Sequence, residues 1–323
     1  MKIGILGPGS IADTVTQTLV HVKEVELCAV ASRNLDKAKA FSEKFGFEKA
    51  YGSYEELVTD PEVELVYITT PHSHHYEQMM LCLEHGKHVL CEKAFTLNAA
   101  QARAVKAKAE EKGLLAAEAI WTRYMPSRKM IDDLIASGII GKVNTLTANL
   151  SYPIDYKARI MRPELAGGAL LDIGIYGLNF AVMHFGSEIE RIESSVRMTD
   201  TGVDAMETIT IFYQDSRMAV LTHSIYARSD RKGIIHGDQG YLVVENINNP
   251  QSVSVYDTSD KLLAHYDVPE QISGYEYEFM ECSAAIEAGR RECDSMPLAE
   301  TVHMMEMMDG LRRQWGMVYP QEQ

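Results

Sequence analysis

Between Lys87 and Thr96 the chain reads KHVLCEKAFT, an apolar run that stops on an acid and an amine. Buried strands usually finish in turn residues such as Gly, Asn or Asp. An ammonium at such a place is costly unless it is paired or put to use. A lysine held against a reacting oxygen can bind it, tune a neighbouring acid or move a proton. The bland alternative for Glu92 and Lys93 is a surface ion pair at a strand end.

Two further stretches carry residue types suited to binding. GPGSIA sets Gly7-x-Gly9-x-x-Ala12 after a short apolar strand and before a helix. Gly7 permits the tight turn, Gly9 lets the backbone approach a pyrophosphate, and Ala12 allows close helix–strand packing. The backbone N–H groups opening the helix, around Ser10 and Ile11, then face the phosphates. A tight turn with no ligand is the competing reading. Twenty-odd residues on, where an NAD binder usually places an acid for the ribose 2′-hydroxyl, the strand instead ends in Ser32, Arg33 and Asn34. Arg33 can pair with a 2′-phosphate and stack on adenine, and Lys37 adds a second positive charge. NADP(H) is therefore expected over NAD(H), unless Arg33 is only a solvated loop residue.

The second stretch, TTPHSHHYEQ, packs His72, His74 and His75 behind a buried strand. Zinc sites usually have separated ligand pairs and often cysteine, and adjacent His74 and His75 point apart on a helix, so no metal is expected. Thr69, Thr70, Pro71, His72 and His75 read better as a loop at the carboxyl end of a strand, beside a cofactor ribose. Glu92 and Lys93 fall at the same edge one strand later.

These loops need a sheet to hold them. Through about residue 120 the chain alternates continuous apolar runs (KIGILG, VELCAVAS, VELVYITT and the opening stretch) with helical periodicities such as Ile11, Val15, Leu19 and Val22. Ser53 and Glu56 have capping-box spacing. That pattern is α/β, a doubly wound parallel sheet of Rossmann type covered on both faces. Beyond it, runs such as METITIFY and RMAVLTHSIYA alternate in polarity. This predicts an α+β domain, residues 121–323, with a mostly antiparallel open sheet and a C-terminal helix able to pack back on residues 1–120. Methionines between Met296 and Met317 share helical spacing with Leu298, Val302, Leu311 and Trp315, which predicts core packing.

A net charge of −15 disfavours nucleic acid and anionic membranes as partners. The apolar stretches read as too short for the roughly 18 residues that cross a bilayer. Five cysteines without a C-x-x-C pair suit reduced thiols in a cytoplasm.

GPGSIA, TTPHSHH, GKHVLCEKAF and GGALLDIGIYGLN stand in the order and approximate spacing of the glucose–fructose oxidoreductase and myo-inositol dehydrogenase family. EAIWTRYMP resembles the branch containing dimeric dihydrodiol dehydrogenase and NADP-dependent D-xylose dehydrogenases. The resemblance implies a Rossmann domain, a substrate domain built on an open sheet, and a homodimer or homotetramer formed through that sheet. The family's Glu-Lys-Pro motif maps to Glu92, Lys93 and Ala94. The departure is alanine for a proline whose turn often holds a cis peptide bond. A second motif maps to Gly167, Gly168, Asp172, Gly174 and Tyr176, with tyrosine where many members have histidine. Without the family, Tyr176 and Asp172 read as a core tyrosine beside a capping aspartate.

Oxidising a secondary alcohol removes a hydride from carbon and a proton from oxygen. The resemblance implies Tyr176 as general acid/base and Lys93 as the charge that tunes it and binds the substrate oxygen. The reversed roles stay open. Asp172, four residues from Tyr176 and so on one helical face, orients Lys93 or holds a hydroxyl. Trp121 and Arg123 are expected in the pocket wall, and Arg162 is expected to reach the cofactor. The substrate is then carbohydrate-like, a sugar, polyol or diol. Two alternatives are a non-catalytic NADPH sensor and a reductase of C=N or C=C bonds.

Overall fold

Runs with no polar face form the first sheet. β1 (Lys2–Leu6), α1 (Ser10–Leu19), β2 (Glu26–Ala31), α2 (Leu35–Phe45), β3 (Lys49–Tyr51), α3 (Tyr54–Thr59), β4 (Leu65–Ile68), α4 (His72–Glu84), β5 (His88–Glu92), α5 (Ala99–Lys112) and β6 (Ala116–Ala119) follow in chain order. The six strands pair in parallel in the order β3-β2-β1-β4-β5-β6. All of Leu65–Ile68 is buried, as a strand covered on both faces requires. Sequence direction across the sheet reverses between β1 and β4, which opens a crevice at their carboxyl ends. The punctuation is as the residues dictate. Gly46 closes α2 in the left-handed region, Ser53 and Glu56 form a capping box, and Asn98 caps α5. The short strand β3 had no sequence signal of its own.

The second sheet begins after α6 (Pro126–Ala136). It comprises β7 (Val143–Ser151), then, beyond a π-helical turn at Leu170–Gly174 and α7 (Ile175–Phe185), β8 (Ile189–Met198), β9 (Asp204–Tyr213), β10 (Met218–Ser224), β11 (Gly233–Gly237), β12 (Gly240–Val244), β13 (Ser252–Asp257) and β14 (Leu262–Asp267). The order is β14-β13-β12-β11-β7-β10-β9-β8. Every pair is antiparallel except β7 with β10. Along β9, Glu207, Ile209, Ile211 and Tyr213 are buried while Met206 and Thr208 are exposed, so one face is covered and the other open. α7 lies against β7 and β10 on the covered face. The sequence reading did not find β11 and β14, whose GIIHG and LLAHYD do not alternate apolar with polar residues.

Two helices close the chain, α8 (Glu276–Glu287) and α9 (Leu298–Trp315). In this computed structural model all 323 residues are described. They divide into one unit of Met1–Tyr124 with Gln271–Glu306 and another of Met125–Glu270 with Met307–Gln323. Phe279 of α8 meets Tyr67 of β4 edge-on at 5.0 Å between ring centroids, so this late segment helps cover the parallel sheet. The methionines at 296, 304, 305, 307, 308 and 317 are all buried. One expectation is corrected. Pro163–Phe185 is long and apolar enough to cross a membrane, but almost all of it is buried inside the structure, so its apolarity belongs to a core.

Candidate active site

The turn after β1 has the shape a dinucleotide needs. Gly7 takes φ 95°, and a Cβ there would lie 2.7 Å from Thr70 Cγ2, so only glycine fits. Its N–H donates to the Ala31 carbonyl at 3.0 Å, and the Gly9 N–H donates to the Gly7 carbonyl at 2.7 Å. A Cβ on Gly9 would meet nothing closer than 3.8 Å, which leaves the backbone open on that side. Gly9 is also the N-cap of α1, with no side chain to satisfy the first-turn N–H groups. Those donors and the positive end of the helix remain for an anion. Asp13, the acid in that turn, is paired with Lys44, and this bond holds its carboxyl below the usual range. The donor set and the open backbone fit a pyrophosphate.

At the end of β2, Ser32 is buried while Arg33, Asn34 and Lys37 are exposed. Asn34 Oδ1 accepts from the Lys37 N–H at 3.1 Å, so its side chain caps α2. Arg33 reaches the Tyr54 hydroxyl.

The loops after β4 and β5 are tied to each other. Thr69 Oγ1 donates to the Gly7 carbonyl at 2.6 Å, joining this loop to the glycine turn. Pro71 caps α4, and His72 is nearly buried. His75 is fully buried. Its Nε2 lies 2.8 Å from the Thr70 carbonyl and its Nδ1 2.9 Å from the Ala94 carbonyl. Burial lowers its pKa to about 4, so it is neutral and donates to one carbonyl at a time. His75 thus acts from beneath the loops.

Lys93 follows the last residue of β5, half-buried, and the Lys93–Ala94 peptide is cis. Its neighbour Glu92 is buried and accepts from the Tyr67 hydroxyl. Behind this turn the Phe95 N–H donates to Glu118 Oε1 at 3.0 Å. Burial pushes the Glu118 carboxyl up to about 7, against the pull of Arg123 and Lys93. Glu118 was missed in the sequence, where its signal was a lone acid inside the apolar run LLAAEAI. Trp121 stacks on Tyr275 at 4.0 Å and 11°. Arg123, 1% exposed, pairs with Glu300. Both residues are therefore fastened to the late segment of their own unit.

In the other unit Asp172 lies in the π turn and Tyr176 in the first turn of α7. Asp172 is nearly buried and Tyr176 partly exposed. Asp172 faces Arg159 through both oxygens, at 2.9 and 3.4 Å. Arg159 was not singled out in the sequence, because nothing in YKARIMRPE separates it from Arg162. Arg162 itself is exposed and 3.7 Å from Glu164. The π turn was also unforeseen. Such turns are rare and occur often at functional sites.

A family model described as an oxidoreductase family with an NAD-binding Rossmann fold matches residues 1–119. A model of the GFO/IDH/MocA C-terminal domain matches residues 129–243. Trans-1,2-dihydrobenzene-1,2-diol dehydrogenase of Xenopus laevis is 34% identical over 327 residues, covering 99% of each chain. The Homo sapiens protein of that name is 33% identical over 330 residues, covering 100% of this chain and 99% of its own. A 3-ketoreductase from Actinomadura kijaniata, solved with NADP and TDP-benzene, has a TM-score of 0.90 at 25% identity, covering 97% of each chain. With sheet order, glycine turn and both motifs in agreement, the chain belongs to the GFO/IDH/MocA family of oxidoreductases and carries that family's NAD(P)-binding Rossmann fold.

Proposed function

We propose that the chain transfers hydride between NADP(H) and a secondary alcohol or carbonyl of a diol, sugar or related polyol, with Lys93 and Tyr176 handling the proton. The observation that carries this reading is the placement of Lys93. It is a half-buried amine at the carboxyl edge of β5, in the same row of loops as the glycine turn and Thr69–Pro71. Relatives that span the whole chain are named as diol dehydrogenases, and a ketoreductase of like structure binds NADP and TDP-benzene.

The dinucleotide is held by the N–H groups opening α1 and by the Thr69–His72 loop. When bound, its nicotinamide ring supplies the hydride acceptor or donor. Lys93 donates a hydrogen bond to the substrate oxygen and favours negative charge on it. Tyr176, as phenolate, takes the hydroxyl proton and so becomes the neutral phenol, which returns it in the reverse direction. Asp172 accepts from a neighbouring hydroxyl. Trp121 walls the pocket, and Arg123, through Glu300, fixes the segment that carries it. The test is slow reduction of NADP⁺, and oxidation of NADPH, against trans-diols, aldoses, inositols and dicarbonyls. Turnover confined to imines or enones, or none at all, would sink the reading.

Preference for NADP(H) rests on Arg33, exposed at the end of β2 where no acid stands. A charge-assisted hydrogen bond of about 1.5–3 kcal/mol corresponds to roughly 10- to 150-fold in binding. Arg33→Ala should weaken NADPH by that order and leave NADH nearly unmoved. Equal effects on both would make Arg33 a structural residue.

The open face of the second sheet supports a homodimer or homotetramer. It carries Met206, 40% exposed, and partly exposed Phe212 and Val220, more apolar than a solvated face needs to be. Sedimentation velocity at micromolar protein should give a dimer or tetramer, and a monomer would remove this proposal. Five free, buried thiols suit a reducing cytoplasm.

A further inference from the structure

Three glycines of GGALLDIGIYGLN are notches for polar side chains rising from the second sheet. A Cβ at Gly168 would lie 2.0 Å from Asp204 Oδ1, one at Gly174 would lie 2.2 Å from Glu207 Oε1, and one at Gly177 would lie 2.2 Å from His223 Nε2. Asp204, Glu207 and His223 stand on β9 and β10, and none is more than 3% exposed. They are bonded to the turn and to each other. Asp204 Oδ2 accepts from the Leu170 N–H at 2.5 Å, and His223 Nδ1 lies 2.9 Å from Glu207 Oε1. From the other side the Tyr319 hydroxyl donates to the Gly167 carbonyl at 2.7 Å. Such a buried group of acids in a core helix interface has no packing rationale, since apolar side chains would fill the space without desolvating charge.

We propose that Asp204, Glu207 and His223 are positioning residues, a buried polar block onto which the glycine-notched turn is keyed, so that the block sets where Asp172 and Tyr176 point. This rests on the hydride-transfer reading above. The keyed stretch is short. Asp172 lies between Leu170, whose N–H Asp204 holds, and Gly174, against which Glu207 sits, and Tyr176 stands beside Gly177 on His223. Displacing the block therefore moves both site residues together.

The block works only with a proton in it. Asp204 and Glu207 are within hydrogen-bond reach of each other, and Asp204 Oδ1 and Glu207 Oε2 have no other donor. Two buried acceptors facing each other need one hydrogen between them. Burial raises both carboxyls, Glu207 to about 8, and the neighbouring Glu207 adds to the rise on Asp204. Burial also lowers His223 to about 3, so the imidazole stays neutral and donates from Nδ1. The other titratable group facing the block is Tyr319, with Arg312 of α9 at 4.9 Å over its ring and paired to Asp309 and Glu322. In the unfolded chain both acids ionise near pH ~4. The folded state therefore binds the extra proton at neutral pH, and the stability it confers is lost as pH rises through about 8.

The test is hydrogen exchange of the amides at 168–177, as protection factors corrected for intrinsic rate, from pH 7 to 9.5. Wild type should lose protection in this stretch at least 10-fold more than in the rest of its unit. Glu207→Gln, which carries its own N–H, should not. In turnover assays Gly174→Ala and Glu207→Leu should lower kcat 10-fold or more with NADPH affinity unmoved, and Glu207→Gln should recover most of what Glu207→Leu loses. Protection that ignores pH, or a folded Gly174→Ala with normal kcat, overturns the proposal. If wild type turns over no substrate of the panel, the hydride-transfer reading fails, while the exchange measurement alone still decides whether the block keys the turn.

Discussion

Lys93→Ala and Tyr176→Phe should each lower kcat by about 10²-fold or more, the usual range for loss of a positioned acid or base. NADPH should still bind within a few-fold of wild type, because the glycine turn and the opening of α1 are untouched. Neither substitution here removes core packing, since Lys93 and Tyr176 are both partly exposed. Melting temperatures should therefore stay near wild type. The pH profile separates the two roles. If Tyr176 takes the proton, Lys93→Ala removes a cation that favours phenolate, and the pH at which oxidation becomes fast moves up. Tyr176→Phe would then erase that limb of the profile. If Lys93 is the base, the two behaviours exchange. Normal turnover in both variants, on a substrate the wild type uses, would end the mechanism.

The sequence carried the first unit well, because its information is local. A strand buried on both faces is a continuous apolar run, and Gly7-x-Gly9 is decided by one positive φ and one open approach. Gly46, Ser53 and Asn98 likewise act on their own neighbours. What was missed lies across long separations. That a C-terminal helix could pack back on residues 1–120 was expected, but not which contacts hold Gln271–Glu306 there, such as Phe279 with Tyr67, more than 200 residues away. The choice between Arg159 and Arg162 is made by how a loop folds over the π turn, and no spacing rule records that. The motif glycines were visible, but their reason was not. It resides in Asp204, Glu207 and His223, which in the linear chain look like ordinary polar positions on alternating strands. Lys93 and Glu118 differ in the same way. A charge at the end of a strand announces itself, whereas an acid bonded to the Phe95 N–H from the next strand is one letter in an alanine-rich run.

Asp172 offers the sharpest separation of charge from geometry, because its partner is known. Its two oxygens face the Arg159 guanidinium at 2.9 and 3.4 Å, a fork that fixes the carboxylate's orientation. In the proposed site the carboxylate so aimed accepts from a substrate hydroxyl. Asp172→Ala removes a hydrogen bond to a charged group, about 1.5–3 kcal/mol, and kcat/KM should fall roughly 10- to 150-fold. Arg159→Ala should fall in the same direction but less, since the carboxylate survives and only its aim is lost. The arginine is also 42% exposed, so solvent replaces part of its charge. The two effects should not add, because an arginine that acts by orienting Asp172 has nothing to orient once the acid is gone. Arg159→Lys should restore charge without the fork and recover little. A double variant whose loss equals the sum of the singles would show that Arg159 meets the substrate independently, and that Asp172 is held by something else.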